Sequence, residues 1–273
     1  MSNDTSGSSA MEDTEIEVKL AIRSEDPVGV MEAVAGLETV DGFRLLPLPA
    51  FRIRDTYLGL PRDGRAADGG RLALRRREVD GRALLTLKGE SGAAEEGVTR
   101  RLEIEVPESE AGWRRIRAAL GEAGVQEGEA LEYLDALRPF QIRETLRLRR
   151  AVVPLRDPPG AGGATGTAAD GDPVAELTMD TVTLEVVGRR VRFREVEVEA
   201  GPGADEPARL VAEVGTALRN AVGRERLRPW SLSKLATGVA LESLAEAGEL
   251  DGLVGVNGDL LPAGLDRLGG SGG

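Results

Sequence analysis

Six segments of this sequence alternate charged or polar residues with apolar ones at a period of two, and this pattern most constrains the fold. The first is "EIEVKL", in which Glu15, Glu17 and Lys19 alternate with Ile16 and Val18. Side chains of a β-strand point alternately to opposite faces, so each segment predicts a strand with one charged face and one apolar face. The residues on the charged faces of the other five segments are, in order, Arg75 and Arg77; Thr86 and Lys88; Arg101, Glu103 and Glu105; Arg143, Thr145, Arg147 and Arg149; and Glu195, Glu197 and Glu199.

Each strand on its own fits an ordinary antiparallel sheet with one face on the core and the other in water. Six such strands are harder to explain in that way, because like charges that share a face repel each other unless opposite charges lie nearby. The alternative is a barrel whose apolar faces pack outward against helices and whose charged faces line a water-filled interior. The repeated pattern favours the barrel.

Turn signals and apolar spacing place the remaining elements. Two more strands are predicted at 51–60 and 174–187, each bounded by clusters of Gly, Pro or Asp. Residues at helical spacing, with capping residues or proline near the start of some segments, predict the helices. These lie at 24–37, 108–124, 129–137, 205–223 and 231–248.

The domain organisation follows from composition along the chain. Residues 1–12 are rich in Ser, Gly and Asp and are predicted to be disordered. Residues 13–240 form the predicted barrel domain, within which the Gly- and Ala-rich stretch 158–173 is a predicted flexible loop. Residues 241–273 are predicted to form a helical end and a disordered tail.

Composition excludes several kinds of chemistry. The chain has no cysteine and no histidine, so thiolates and imidazoles cannot serve as nucleophiles, bases or metal ligands. The net charge of −12 argues against broad contact with nucleic acid or anionic membranes. No apolar run approaches the roughly 18 residues that a membrane helix needs, and the N-terminus has no signal-peptide pattern. We therefore expect a cytoplasmic protein.

A charged interior of both signs suits one kind of ligand. Arginine and lysine donate charge-assisted hydrogen bonds to phosphate oxygens. Clustered carboxylates would repel such a polyanion unless they hold a divalent cation that also binds it, and Mg²⁺ and Mn²⁺ prefer oxygen ligands of this kind. Both sets of residues in one cavity therefore predict a metal-bound phosphate substrate.

The ordered series of these residues resembles the CYTH domains, or triphosphate tunnel metalloenzymes. "EIEVK" is similar to their ExExK signature, which is weak alone because short charged patterns arise by chance. The later segments that resemble the family, in order, are "RDTYL", "LALRRR", "LTLKG", "RLEIE", "TLRLRR", "LTMD" with Asp180, "EVEVE" and "SLSKLATG" with Lys234. The resemblance covers roughly residues 13–240 and is closest to bacterial inorganic triphosphatases, without the helical CHAD domain that some of them carry.

The resemblance implies an α+β fold built on a closed antiparallel eight-stranded β-barrel with helices packed outside. It also implies site roles for residues on the charged faces. The implied catalytic residues are Glu15, Glu17, Lys19 and Lys88. The implied substrate-binding residues are Lys19, Arg75, Arg77, Lys88, Arg101, Arg143, Arg147, Arg149 and Lys234. The implied ligands of Mg²⁺ or Mn²⁺ are Glu15, Glu17, Glu103, Glu105, Asp180, Glu195, Glu197 and Glu199. The period of two cannot choose between Arg147 and Arg149 or among Glu195, Glu197 and Glu199, because each set shares a face.

Several functions stay open at this point. Metal-dependent hydrolysis of inorganic tripolyphosphate is the main expectation, with thiamine triphosphatase or a class IV adenylate cyclase as alternatives. A binder of polyphosphate or nucleotides without catalysis is a further alternative, but such a protein could dispense with the carboxylates. The expected partner is a small polyanion, either tripolyphosphate or a nucleoside or thiamine triphosphate. A monomer or homodimer is expected.

Overall fold

The computed structural model describes residues 13–59, 72–89, 98–122, 138–155, 172–202 and 204–269. The predictions for residues 1–12, for the helix at 129–137 and for most of the loop at 158–173 lie outside these ranges. The backbone of Arg101 is described, but its side chain is not. No helix in the described ranges has the length and apolar character that crossing a bilayer requires.

The described ranges contain ten strands and five helices. The strands are β1 (Asp13–Ile22), β2 (Thr39–Val40), β3 (Phe43–Gly59), β4 (Leu72–Val79), β5 (Arg82–Gly89), β6 (Val98–Pro107), β7 (Arg138–Pro154), β8 (Ala175–Val186), β9 (Arg189–Ala200) and β10 (Leu227–Pro229). The helices are α1 (Pro27–Ala35), α2 (Glu110–Glu122), α3 (Pro207–Val222), α4 (Lys234–Glu246) and α5 (Pro262–Gly269). All six charged-face segments are strands, as predicted.

The strands form one curled antiparallel sheet in the order β10-β1-β6-β5-β4-β3-β7-β8-β9. Strand β1 also pairs with β9, where Glu17 lies opposite Glu199 and Ala21 opposite Glu195. The same strand pairs with β6, where Glu15 lies opposite Arg101. Strand β1 therefore pairs with three strands, which are β6, β9 and β10. The fold is α+β, as predicted.

The outer face of the sheet carries two apolar cores. Helices α1 and α3 cover the first, which includes Leu177 and Met179 of β8 and Val196 and Val198 of β9. Helix α2 packs on the second, which β4, β5 and β6 supply. These outward residues alternate with the charged ones, so the period of two in the sequence separates core from interior. Asp26 caps α1 by accepting a hydrogen bond of 3.0 Å from the Gly29 N–H.

Strand β3 is longer than predicted, since it begins at Phe43 rather than at residue 51. Pro47 and Pro49 made this stretch a poor strand candidate, because proline cannot donate a ladder hydrogen bond. The structure accommodates it with a register shift between Leu48 and Phe51 against β7. Irregular pairing of this kind leaves little trace in the sequence.

The inner face changes from charged to apolar along the strands. Beyond Asp180 the inward positions of β8 are Val182, Leu184 and Val186, and beyond Glu195 those of β9 include Phe193. Residues 230–269, which we call the C-terminal plug, pack against this apolar end of the interior. The plug residues in this core are Trp230, Leu241, Leu250, Leu260, Leu265 and Leu268.

Helix α4 of the plug lies on the inward face of the sheet. A Cβ built at Gly238 would stand 2.4 Å from the side-chain Nε2 of Gln141, an inward residue of β7, so the helix lies close to this strand and a larger residue would displace the Gln141 side chain. The expectation that helices pack outside is thus wrong for α4, because the apolar inner residues at this end of the sheet need a partner. Helices α1, α2 and α3 do pack outside.

Replacing Leu241 by alanine should test how much the plug stabilises the fold. Leu241 is fully buried, so we expect a loss of about 2 to 5 kcal/mol in the free energy of unfolding, as for other buried leucines. Chemical denaturation followed by circular dichroism measures this loss. The control is Val256→Ser, at a fully exposed position of the same segment, which should change little. Equal stability of Leu241→Ala and the wild type would contradict the placement of α4.

Candidate active site

The charged inner faces enclose a cavity of about 620 Å³. Seven basic side chains line it, which are Lys19, Arg75, Arg77, Lys88, Arg143, Arg147 and Lys234. Five acidic side chains also line it, which are Glu15, Glu103, Glu105, Glu197 and Glu199. Among the described residues, basic side chains exceed acidic ones on this wall although the chain as a whole carries a net charge of −12. The cavity therefore concentrates positive charge locally, as an anion site requires.

One buried carboxylate holds three of the arginines. Asp55 of β3 is 1% exposed and accepts hydrogen bonds from Arg77 Nε at 2.9 Å and from Arg143 Nη2 at 2.7 Å. Arg75 Nη1 lies 3.8 Å from the same carboxylate. Burial alone would raise the pKa of Asp55, but Arg75, Arg143 and Arg77 together hold it well below its usual range. Asp55 stays ionised and fixes the three guanidinium groups.

A second group joins Lys88 of β5 to β1 and β6. Its Nζ lies 3.1 Å from Glu15 Oε2 and 2.5 Å from Glu103 Oε2. Burial would raise the pKa of Glu103, but Lys88 and Arg75 outweigh it and lower the pKa to about 2. The ammonium of Lys88 therefore lies between two charged carboxylates, with its stem on the cavity wall.

A third group lies where the plug meets β8 and β9. Lys234 Nζ is 3.1 Å from Asp180 Oδ2 and 2.8 Å from Glu197 Oε1, and it also contacts Glu195. Arg147 of β7 donates to both Asp180 oxygens, at 2.8 and 2.6 Å, and to Glu197 Oε2 at 3.1 Å. Lys234 and Arg147 thus share three buried carboxylates.

Lys19 links the third group to the ExExK strand. Its Nζ lies 3.3 Å from both Glu17 Oε1 and Glu197 Oε1. Glu17 also accepts a hydrogen bond of 3.3 Å from the Thr99 hydroxyl. The first strand therefore contributes to two neighbouring charge clusters.

Two glutamates have pKa values raised to about 7. For Glu195 the causes are burial and the charges of Glu197 and Asp180, which outweigh Lys234 and Lys19. For Glu199 the causes are burial and the charges of Glu15, Glu17 and Glu103. For both glutamates, burial and the neighbouring carboxylates outweigh the nearby cations, an arrangement expected of side chains that bind a metal ion.

The third group fits a divalent cation. Asp180, Glu195 and Glu197 each offer an oxygen, and these oxygens all lie within 4.8 Å of one another. Both buried Glu195 oxygens accept no hydrogen bond from the described residues, and the Lys234 ammonium meets this carboxylate only as an ion pair. Hard oxygen ligands with free lone pairs suit Mg²⁺ or Mn²⁺. These three residues could hold a metal.

The structure separates the predicted residues that the period of two could not. Arg147 lines the cavity, whereas Arg149 pairs with Glu176 and stacks on Phe51, 5.2 Å from the ring centre. Glu197 and Glu199 line the cavity, and Glu195 lies fully buried behind it.

Two other predicted residues are Glu105 and Arg101. Glu105 accepts a hydrogen bond from Thr86, and the side chain of Arg101 lies outside the described residues. The sequence pattern assigned no site role to Asp55, Tyr57 or Ser233. The first two could have been found from the period of two, because they share the inward face of β3.

Glu103→Gln should change how folding stability depends on pH. The folded pKa of Glu103, about 2, lies below the ordinary glutamate value of 4.5, so its contribution to stability is present above pH 4.5 and is lost as pH falls toward 2. We expect the variant to lose about 1 to 2 kcal/mol less than the wild type between roughly pH 5 and 3. Urea unfolding at both pH values measures this difference. The exposed Glu38→Gln is the control, and parallel curves for Glu103→Gln and wild type would refute the assignment.

Comparison with known proteins identifies the family. The family model described as the CYTH domain matches residues 13–220, about three quarters of the chain. The chain belongs to the CYTH domain family. The match ends before the C-terminal plug of this CYTH protein, so Lys234 lies outside the matched range. A search of curated proteins found no match.

A search of solved structures found chains that are similar to this CYTH domain at low sequence identity. A putative adenylyl cyclase from Hippeastrum, HpAC1, is described as having a dominant triphosphatase activity. Its sequence is 18% identical to this chain and its TM-score is 0.51, and the alignment covers 83% of this chain and 95% of that one. A putative adenylate cyclase from Bacillus halodurans is 14% identical with a TM-score of 0.46, over 82% and 97%. The RNA triphosphatase Pct1 of S. pombe is 14% identical with a TM-score of 0.38, over 81% and 87%.

Proposed function

We propose that this CYTH domain hydrolyses a triphosphate with the help of Mg²⁺ or Mn²⁺, and that inorganic tripolyphosphate is cleaved to pyrophosphate and phosphate. The observation that carries the proposal is the cavity, in which seven basic side chains adjoin a cluster of three buried carboxylates. A site that only bound polyphosphate would need the basic wall but not the carboxylates. The triphosphatase activity described for the Hippeastrum protein supports the same reaction.

The proposal includes a closed eight-stranded tunnel. Its support is the pairing of β1 with both β6 and β9, which joins the two ends of the eight-strand order. In this tunnel the C-terminal plug fills one end, and the substrate enters from the other. The 620 Å³ cavity lies within the size range of small-molecule sites.

The reaction needs no covalent intermediate. A water oxygen attacks the terminal phosphorus, the bond from that phosphorus to the bridging oxygen breaks, and the leaving pyrophosphate takes the electron pair. The proton of the water passes to a carboxylate on the cavity wall, where Glu15 and Glu199 are the candidates.

The basic residues bind and stabilise the phosphates. Lys19, Lys88 and Arg147 reach the cavity from three different strands, so they contact a bound polyanion from several sides. Asp55 keeps Arg75, Arg77 and Arg143 oriented before the substrate arrives, which lowers the cost of reorganisation in the transition state. Asp180, Glu195 and Glu197 would hold a divalent cation, which supplies charge neutralisation at the phosphate oxygens.

Side-by-side product analysis tests the substrate. Wild-type protein with Mg²⁺ or Mn²⁺ is incubated with tripolyphosphate, ATP or thiamine triphosphate, and the products are separated by ion chromatography. We expect orthophosphate and pyrophosphate from tripolyphosphate at the highest rate. Pyrophosphate and a cyclic nucleotide from ATP, with no cleavage of tripolyphosphate, would indicate an adenylate cyclase instead.

A further inference from the structure

Lys234 lies on the same three carboxylates that could hold the metal. Its ammonium contacts Asp180, Glu195 and Glu197, at 3.1 Å for the first and 2.8 Å for the last. The oxygens of these residues lie within 4.8 Å of one another. A cation that took oxygens from all three would therefore compete with the ammonium for the same ligands, and the two positive charges would repel each other strongly in this buried site.

We infer that Lys234 and the divalent cation use these carboxylates in turn, so that entry of the cation releases the ammonium toward the phosphates in the cavity. This inference rests on the proposed function. It assigns Lys234 two sets of partners, carboxylates in one state and phosphate oxygens in the other.

The surrounding structure allows this exchange without movement of the backbone. Lys234 is the first residue of α4, and the Ser233 hydroxyl caps the helix by accepting a hydrogen bond of 3.1 Å from the Ala236 N–H. Thr237, Gly238 and Leu241 of the same helix are buried against the sheet. The helix is thus fixed, while the four-carbon stem of the lysine can rotate, and both Ser233 and Lys234 line the cavity.

Arg147 cannot exchange in the same way. It donates to both Asp180 oxygens and to Glu197, and this two-point geometry fixes its planar guanidinium. Lys234 is a point charge on a flexible stem, so it is the partner that a cation displaces at lower cost. The consequence is reciprocal coupling, since a bound triphosphate that accepts the ammonium favours the cation, and the cation favours the triphosphate.

Metal binding to a Lys234 variant tests the inference without any substrate. Mn²⁺ affinity is measured by isothermal titration calorimetry and by loss of the free Mn²⁺ signal in electron paramagnetic resonance. We expect Lys234→Met to bind Mn²⁺ at least about tenfold more tightly than the wild type, because the competing charge is gone. The matched control is Arg77→Met, which removes one positive charge from the same cavity but from the Asp55 group, and it should change Mn²⁺ affinity by less than about threefold.

Stability gives a second measurement. Loss of Lys234 leaves the three carboxylates with only Arg147 and Lys19 as neighbouring cations, so Lys234→Met should melt at a lower temperature than wild type and recover when Mn²⁺ is added. Unchanged Mn²⁺ affinity in Lys234→Met would overturn the inference. A variant that stays unfolded even with saturating Mn²⁺ would also overturn it, because a divalent cation could then not replace the ammonium.

These experiments distinguish a failure of the exchange from a failure of the proposed function. Wild-type protein that cleaves tripolyphosphate, together with a Lys234 variant of unchanged Mn²⁺ affinity, would refute the exchange alone. Tighter Mn²⁺ binding by the variant, together with wild-type protein that cleaves no triphosphate, would refute the proposed function and leave the exchange in place.

Discussion

Lys88→Ala should lower the rate of tripolyphosphate hydrolysis by about 10²- to 10³-fold, the usual effect of removing one group that stabilises transition-state charge. Lys88 lies on the cavity wall between Glu15 and Glu103. Without its ammonium a bound triphosphate would face these two carboxylates directly, so both binding and turnover should suffer. Steady-state release of orthophosphate measures the effect.

The matched control is Arg76, which lies on the neighbouring strand β4 and on the outer face of the sheet. Arg76 neighbours Arg75 and Arg77 in the sequence, but it pairs with Glu78 and Glu108 on the outer face. Arg76→Ala should keep the wild-type rate. An equal loss in both variants would show that the general charge of the protein matters, and not the cavity.

Asp55→Asn should have the largest effect on stability. The substitution keeps the size of the side chain but removes the charge that balances three arginines, two of which, Arg75 and Arg143, are nearly fully buried. Leaving buried charges without their partner costs about 3 to 5 kcal/mol, which corresponds to a fall of roughly 10 °C in melting temperature for a domain of this size. Differential scanning calorimetry measures the shift.

A surface aspartate provides the comparison for Asp55. Asp266 pairs with Arg23 and Arg228 at the protein surface, so Asp266→Asn should lower the melting temperature by no more than about 2 °C. If Asp55→Asn melts within the same narrow range, the Asp55 group does not organise the cavity as described.

The sequence predicted the sheet because its physical signal is local. The alternation of Glu15, Glu17 and Lys19 with apolar residues is set by the strand period alone, and it places these residues on the inner face. Turn signals such as Asp80-Gly81 mark where β4 ends and β5 begins, with both residues at positive φ. Most strand and helix boundaries lie within a few residues of those predicted.

The segment that packs against the apolar end of the interior could not be predicted in the same way. Val182, Leu184 and Phe193 continue the inward face without charge, and the period of two cannot say what packs on them. The answer is the C-terminal plug, which is distant in sequence. The choice of Arg147 over Arg149 for the cavity likewise depends on how β7 pairs with β8, where Arg147 lies opposite Asp180.

The most direct test of the account is the metal dependence of tripolyphosphate cleavage by the wild-type protein and by Glu17→Gln. Glu17, the second glutamate of the ExExK pattern, is buried 3.3 Å from the Lys19 ammonium, and glutamine keeps its shape while removing the charge that holds this lysine. We predict orthophosphate release by the wild type with Mg²⁺ or Mn²⁺, none with excess EDTA, and a loss of at least about 10²-fold in Glu17→Gln. Release that is unaffected by EDTA, or equal in the two proteins, would contradict the account.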